Sequence, residues 1–99
     1  MAIEQDLLNK VKTSLRISHS VLDDDLTDTI GACLADLKVC GVQGPDATDP
    51  LILNAIKLYC KAAYTDDTGK AAAYQARYDA LKSCLMMAEG YGGEAVTDD

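Results

Sequence analysis

The chain has few of the residues that nucleic-acid binding and acid–base catalysis require. Its 99 residues include 9 Lys and Arg against 16 Asp and Glu, giving a net charge of −7, and a single His. Affinity for nucleic acids comes mainly from clustered Lys and Arg that neutralise phosphates. This charge balance argues against a free-standing nucleic-acid-binding protein.

Long apolar runs are also missing from the sequence. A membrane-spanning helix needs about 20 consecutive apolar residues, and the longest runs here are only a few residues. The first residues include Glu4 and Asp6, where a secretory signal peptide has basic residues followed by an apolar stretch. We therefore expect a soluble, intracellular protein with one hydrophobic core, which is what this length supports.

The four cysteines show no metal-binding pattern. Cys33, Cys40, Cys60 and Cys84 form no C-x-x-C pair, and His19 is far from all four in the sequence. Each cysteine falls within a helical pattern at a position where a small buried residue is expected. We expect reduced thiols that fill the core.

Apolar residues recur at helical spacing in four segments, and no run alternates convincingly as a strand does. The pattern predicts an all-α protein, a small bundle of four helices over residues 3–16, 23–40, 50–64 and 70–89. Helix 3 should be central, because only Asn54, Lys57 and Lys61 form a clearly polar side. Residues 1–89 would form the helical domain, and the Gly-rich, acidic segment 90–99 a flexible tail.

Catalytic and cofactor-binding patterns are scarce. His19 lies in a predicted connector between two serines, without the arrangement that a catalytic triad needs. No Gly-rich phosphate loop precedes a helix, and the aspartates at 23–25 lack the alternating oxygens and closing Glu of a calcium loop. We expect no enzyme activity, no cofactor and no metal.

The negative charge is concentrated in one part of the chain. Residues 20–49 hold one base and seven acids, whereas residues 1–19 hold three bases and two acids. The acidic candidates for a subunit contact are Asp23, Asp24, Asp25, Asp28 and Asp36. The complementary basic candidates are Lys10, Lys12, Arg16, Lys57 and Lys61. Two interpretations are open: a solvated acidic face that maintains solubility, or a head-to-tail contact between copies, which can close into a ring.

Met86 and Met87, near the end of predicted helix 4, also have two interpretations. They fill gaps in the core, or they form an adaptable apolar contact for a partner. The sequence alone does not choose between these interpretations.

An ordered series of short segments resembles the tailed-bacteriophage head–tail connector (adaptor, or DNA-packaging) proteins. The segments are Leu7-Leu8-Asn9-Lys10-Val11-Lys12, Leu15-Arg16-Ile17, Asp23-Asp24-Asp25-Leu26, Ala35-Asp36-Leu37, Gly41-Val42, Asp49-Pro50-Leu51-Ile52, Ala55-Ile56-Lys57-Leu58-Tyr59, and Tyr74 and Tyr78 with Leu81. The resemblance covers about residues 3–85, and the segment 90–99 matches no family pattern.

The resemblance implies a structural subunit of a virion neck, made in the bacterial host cytoplasm and assembled as a ring of about twelve copies below the portal. The ring would extend the DNA channel, and the acids at 23–25, 28 and 36 would line either the channel or the subunit interface. Met86, Met87 and Tyr91 would dock on the portal, and the ring would receive the next head-completion or tail protein. DNA would pass without sequence-specific binding. The alternative is a small acidic helical regulatory module that forms a dimer.

Overall fold

Four helices make up the fold, in a computed structural model that describes residues 5–42, 46 and 48–87. They are α1 (Gln5–Leu15), α2 (Asp23–Val39), α3 (Pro50–Tyr64) and α4 (Thr68–Met87). The described residues contain no strand, and the prediction of an all-α four-helix bundle is confirmed. The predicted tail, residues 90–99, lies outside the described residues, as do the predicted ends of helix 1 at Ile3 and of helix 4 at Glu89.

The boundaries of α3 and α4 follow from local hydrogen bonding. The Asp49 carboxylate accepts a hydrogen bond from the Leu51 N–H at 2.8 Å, and Pro50 occupies the first turn, where no donor is needed. Helix α4 begins at Thr68, earlier than the predicted Lys70, because the Asp67 carboxylate accepts from the Lys70 N–H at 3.0 Å. The N-terminal cap of α2 is Leu22, which makes no side-chain cap bond, so the aspartates after it act through the helix dipole rather than by capping.

Two helices end in the same hydrogen-bonded motif, but only one of them uses glycine. At the end of α2, the Val42 N–H donates to the Leu37 carbonyl at 2.9 Å, and Gly41 adopts φ 106°. At the end of α1, the Ile17 N–H donates to the Lys12 carbonyl at 2.9 Å, and Arg16 adopts φ 61°. The stop at Gly41 follows the prediction from sequence. A left-handed Arg16 was not predicted.

Helix α3 is the centre of the bundle, as its broad apolar surface predicted. It packs against each of the other three helices, and α1 packs on α3 and α2 of its own chain. The buried core consists of Leu7, Leu8, Val11, Leu26, Ile30, Cys33, Leu37, Val42, Ile52, Ala55, Ile56, Cys60, Tyr78 and Leu85. Complete burial of an aliphatic side chain contributes about 1.5–3 kcal/mol, so this cluster supplies the main stabilising term.

Helix α4 is less buried than its sequence pattern predicts. Of the predicted stripe, Tyr78 and Leu85 are buried, whereas Tyr74 and Leu81 are partly exposed. The prediction that all four cysteines fill the core is wrong for Cys84, which is exposed, while Cys33 and Cys60 are buried. Since α4 lies on one side of α3, most of its circumference has no neighbour within the described chain.

Candidate functional site

Charged side chains gather at one end of the bundle, where α1 and α3 end and α2 and α4 begin. We call this the charged end. Lys12 Nζ lies 2.7 Å from Asp23 Oδ1, which ties the last turn of α1 to the first turn of α2. The three aspartates that open α2 interact favourably with the positive end of its dipole. Asp24 is exposed, and so is Asp28 one turn further on.

Tyr64 joins the end of α3 to the start of α2. Its hydroxyl donates a short hydrogen bond to the Asp25 carboxylate. Burial raises the pKa of Tyr64 to about 12, and the neighbouring Asp25 carboxylate contributes to the same shift. The phenol therefore remains a proton donor across the physiological range.

A groove with basic side chains lies beside Tyr64. We call it the basic groove; its lining residues are Ser14, Leu15, Arg16, Ile17, Leu22, Lys61, Tyr64, Thr65, Lys70 and Tyr74. Lys61 Nζ lies 5.8 Å from the centre of the Tyr74 ring, within the range of a cation–π contact. Within the described residues, Arg16, Lys61 and Lys70 form no ion pair. The groove is thus lined by three positively charged side chains and two phenol rings.

The turn at Arg16 that ends α1 also lines this groove. A left-handed conformation in a residue other than glycine costs about 1–2 kcal/mol, and glycine would avoid that cost. Residues held in such conformations are concentrated at functional sites. Here the turn that ends α1 places Arg16 in the wall of the groove.

A second groove lies where α2 approaches the α3–α4 hairpin. Its lining is mostly alanine and belongs to α2, α3 and α4: Asp28, Thr29, Ala32, Tyr59, Ala62, Ala63, Ala71, Ala72 and Gln75. On α3, Ala62 and Ala63 of this groove lie on the opposite side of the helix from Lys61 and Tyr64 of the basic groove. The two grooves therefore lie on different sides of the hairpin, with Asp28 on one side and the free bases on the other.

A polar network inside the bundle links α2 to α4. The Tyr78 hydroxyl donates to Asp36 Oδ2 at 2.7 Å, and Lys82 Nζ lies 3.0 Å from the same oxygen. The hydrogen bond from Tyr78 is the largest of the causes that lower the pKa of Asp36, and the bond to Asp36 raises the pKa of Lys82. Burial raises the pKa of the neighbouring Cys33 thiol to about 12, which leaves it protonated and unreactive. This network connects α4 to α2, and the Asp36 side chain within it is 35% exposed.

The opposite end of the bundle exposes apolar side chains. We call it the apolar end, where α2 ends, α3 begins and α4 ends. Val39 and Met87 are 83% and 81% exposed, and Leu51 and Met86 are 46% and 38% exposed.

The structure separates the predicted acids and bases into paired and unpaired groups. Lys12 with Asp23, and Lys10 with Asp6 at 3.5 Å, form ion pairs inside the chain, and Asp36 pairs with Lys82. Arg16, Lys57 and Lys61 make no ion pair within the described residues, and the same holds for Asp24 and Asp28. Tyr91 lies outside the described residues.

Sequence reasoning missed several residues that complete these sites. Lys70, Tyr64 and Tyr74 line the basic groove, and Lys82 and Tyr78 hold Asp36. The sequence did contain a pattern that indicates the groove. Lys57, Lys61 and Tyr64 share one face of α3, and the connector to α4 has only three residues, which brings Lys70 close to that face.

Among the described residues, no group of three or more His, Cys, Asp or Glu side chains is arranged to hold a metal ion. None of the four helices is both long enough and apolar enough to cross a membrane, again within the described residues. His19, the only histidine, is exposed in the connector between α1 and α2.

Comparison with known proteins gives one match. A family model described as phage connector protein matches residues 7–92. No curated protein and no solved structure matches the chain. The matched range includes nearly all of α1 and the whole of α2, α3 and α4.

Proposed function

The chain belongs to the phage connector protein family, and we propose that it is a head–tail connector subunit in the neck of a tailed phage or prophage virion. The family is one of structural proteins that join phage head and tail components. In this role about twelve copies form a ring below the portal, extend the DNA channel and receive the next head-completion or tail protein. The subunit is made in the bacterial host cytoplasm and incorporated during virion assembly.

The observation that carries the ring is the separation of unpaired charges on one subunit. The basic groove presents Arg16, Lys61 and Lys70, and Lys57 lies one turn before Lys61 on the same face of α3. The exposed acids Asp24 and Asp28 lie on α2, with Asp28 in the alanine-lined groove. A surface that cannot satisfy its own charges is suited to a contact between unlike faces of two copies. Such a heterologous contact, repeated about an axis, closes into a ring.

The alanine-lined groove supports the same contact. Five alanines form its floor and walls: Ala32, Ala62, Ala63, Ala71 and Ala72. Small side chains let a neighbouring backbone approach closely. In the proposed ring this side of one subunit, with Asp28 at its edge, faces the basic groove of the next.

The net charge supports passage of DNA rather than binding. Pairing acids of one copy with bases of the next leaves the net charge of each copy at −7. A ring of such subunits repels the phosphate backbone, because it offers few unpaired cations to replace DNA counterions. The part of the acidic region 20–49 that lies outside the subunit contact is our candidate for the channel wall, and a ring structure with a basic lumen would contradict this assignment.

The apolar end is our candidate for the contact with the portal. Val39, Leu51, Met86 and Met87 are exposed there, and methionine adapts its shape to a partner more readily than branched side chains do. The predicted docking residue Tyr91 follows Met87 by only four positions.

The test is assembly in the presence of the portal, measured by mass photometry and negative-stain electron microscopy. We expect a ring of subunits on one face of the portal. The paired substitution Arg16→Glu and Lys61→Glu should abolish the ring. Adding Asp24→Lys and Asp28→Lys to the same chain should restore it, because the charges of the contact are then exchanged. Lys10→Glu, at an exposed position of α1 outside both grooves, is the control and should leave the ring unchanged.

Two results would contradict the proposal. One is a species that stops at a dimer at every concentration, with and without the portal, as the regulatory-module alternative predicts. The other is a ring that the Arg16 and Lys61 reversals leave intact, which would move the subunit contact away from the basic groove.

A further inference from the structure

The basic groove also has a candidate ligand within its own chain. Residues 88–99, which follow the described end of α4, contain Glu89, Glu94, Asp98 and Asp99 and no Lys or Arg. The groove, in turn, has three bases with no ion pair in the described residues, Arg16, Lys61 and Lys70. We propose that in the unassembled subunit this acidic C-terminal segment occupies the basic groove, and that it leaves when the acids of a neighbouring subunit enter.

Chain length is compatible with this contact. Lys70 and Tyr74 of the groove lie 17 and 13 residues before Met87 on α4, which at 1.5 Å per residue is about 26 and 20 Å along the helix. An extended chain covers at most about 3.3–3.6 Å per residue. Glu94 therefore reaches about 25 Å from Met87, and Asp98 and Asp99 reach about 36–43 Å. Glu94 can therefore return along α4 as far as Tyr74, and Asp98 and Asp99 can also reach Lys70.

The chemistry of the groove favours an acidic peptide. Lys61 is held over the Tyr74 ring, and Lys70 begins α4. Bases contributed by the end of α1, by α3 and by α4 give positive charge along the groove rather than at a single point. A short extended segment with several carboxylates fits that distribution. A DNA backbone is disfavoured because the subunit as a whole carries −7.

A tethered ligand has an advantage over a free one. A segment joined to its site by a short linker has an effective concentration in the millimolar range. Free subunits at micromolar concentration present their α2 acids at roughly a thousandth of that value. The segment would therefore keep the groove occupied until the portal holds neighbouring subunits side by side. Displacement of the segment by a neighbouring subunit rests on the proposed ring, whereas occupancy of the groove in the single subunit does not.

Zero-length cross-linking tests the occupancy directly. Treating the full chain with a carbodiimide joins a carboxylate to an amine only where the two are in contact. In the monomer fraction we expect mass spectrometry to find Lys61 or Lys70 joined to Glu94, Asp98 or Asp99. Links from these acids mainly to Lys10, Lys38 or Lys82, or an absence of links to the groove, would overturn the proposal. Links that instead join α2 acids of a second copy to Lys61 would show that the groove is already an intersubunit site, and would also overturn it.

Neutralising the segment tests the competition. The variant Glu94→Gln, Asp98→Asn, Asp99→Asn should lose the cross-links and should self-associate at least about tenfold more tightly, measured by sedimentation velocity. The control is Asp6→Asn, Asp46→Asn, Asp79→Asn, which changes the net charge equally at exposed positions outside the groove. Equal self-association of the two variants would overturn the competition.

The two proposals can fail separately. Cross-links between the segment and the groove, without a ring on the portal, would refute the proposed function and leave groove occupancy standing. A ring with charge-exchange rescue, without those cross-links, would refute the occupancy alone.

Discussion

The charged end and the apolar end of this bundle differ in the kind of side chain that each leaves without a partner within the described chain. At the charged end, Lys12 pairs with Asp23 and Tyr64 bonds Asp25, yet the bases of the basic groove have no ion pair in the described residues. At the apolar end Val39, Leu51, Met86 and Met87 expose hydrocarbon and thioether groups. Charge gives direction and register to a contact, whereas apolar area gives most of its free energy. In the proposed assembly the charged end would therefore select the neighbouring subunit, and the apolar end would dock on the portal.

The largest expected effect is on portal binding. Val39→Asp combined with Met87→Asp should weaken binding to the portal by at least tenfold, because two charges would have to be desolvated in the contact. Both side chains are more than four-fifths exposed, so the fold should persist. Biolayer interferometry against immobilised portal measures the change.

A matched valine serves as the control for this experiment. Val21 is exposed to the same extent as Val39, 83%, but lies in the connector at the charged end. Val21→Asp should leave portal affinity within twofold of the starting value. If it weakens portal binding as much as the Val39 and Met87 change does, the assignment of the two ends is wrong.

The next prediction concerns the hydrogen bond from Tyr78 of α4 to Asp36 of α2. Tyr78→Phe should destabilise the fold by about 2 kcal/mol, since a hydrogen bond to a charged group contributes about 1.5–3 kcal/mol. The ring itself would still fill its buried site against Tyr59, 5.2 Å away between centroids. Urea unfolding followed by circular dichroism measures the midpoint. An unchanged midpoint would mean that Lys82 alone satisfies Asp36.

Local sequence patterns predicted the helices well because their causes are local. Asp49 and Pro50 start α3, Gly41 ends α2, and the broad apolar surface of α3 requires neighbours on most sides. Periodicity did not predict the exposure of Cys84, because a stripe on α4 does not indicate how many helices will cover it.

The sites were harder to predict because they depend on pairs distant in sequence. Lys12 with Asp23, and Asp36 with Lys82, are settled only when α1, α2 and α4 are placed together. Counting acids and bases named candidate residues for a contact, but not which of them pair within the chain. Lys70 was missed for the same reason, since it becomes part of a groove only through the α3–α4 hairpin.

Replacing Arg16 by glycine should have opposite effects on stability and on assembly at the charged end. Arg16→Gly should stabilise the fold by about 1 kcal/mol, because glycine adopts positive φ without steric cost. The same change removes a base from the basic groove and should weaken self-association on the portal. Thermal unfolding and mass photometry measure the two effects.

Gly41 allows the reverse substitution, since it has a positive φ at the end of α2 as Arg16 has at the end of α1. It ends α2 in the corresponding motif with φ 106°, and no atom lies within 4 Å of a Cβ built there. Gly41→Ala should therefore destabilise by about 1 kcal/mol through the backbone alone, with assembly unchanged. If Arg16→Gly also destabilised the fold, contacts of the arginine side chain would outweigh its backbone strain.

The smallest expected effect is at Tyr64, and its sign should depend on pH. At pH 7, Tyr64→Phe should cost about 0.5 kcal/mol, since a hydrogen bond in a partly exposed site gives little net stability. The folded pKa of Tyr64 is about 12, above its ordinary value of 10. The folded state thus binds the phenolic proton more tightly, and its contribution is fully present below pH 10 and lost as pH rises towards 12. Phenylalanine has no proton to lose, so the variant should become the relatively more stable protein in that range. Urea midpoints at pH 7, 10 and 11.5 test this, and parallel curves for the two proteins would mean that folding does not raise the pKa of Tyr64.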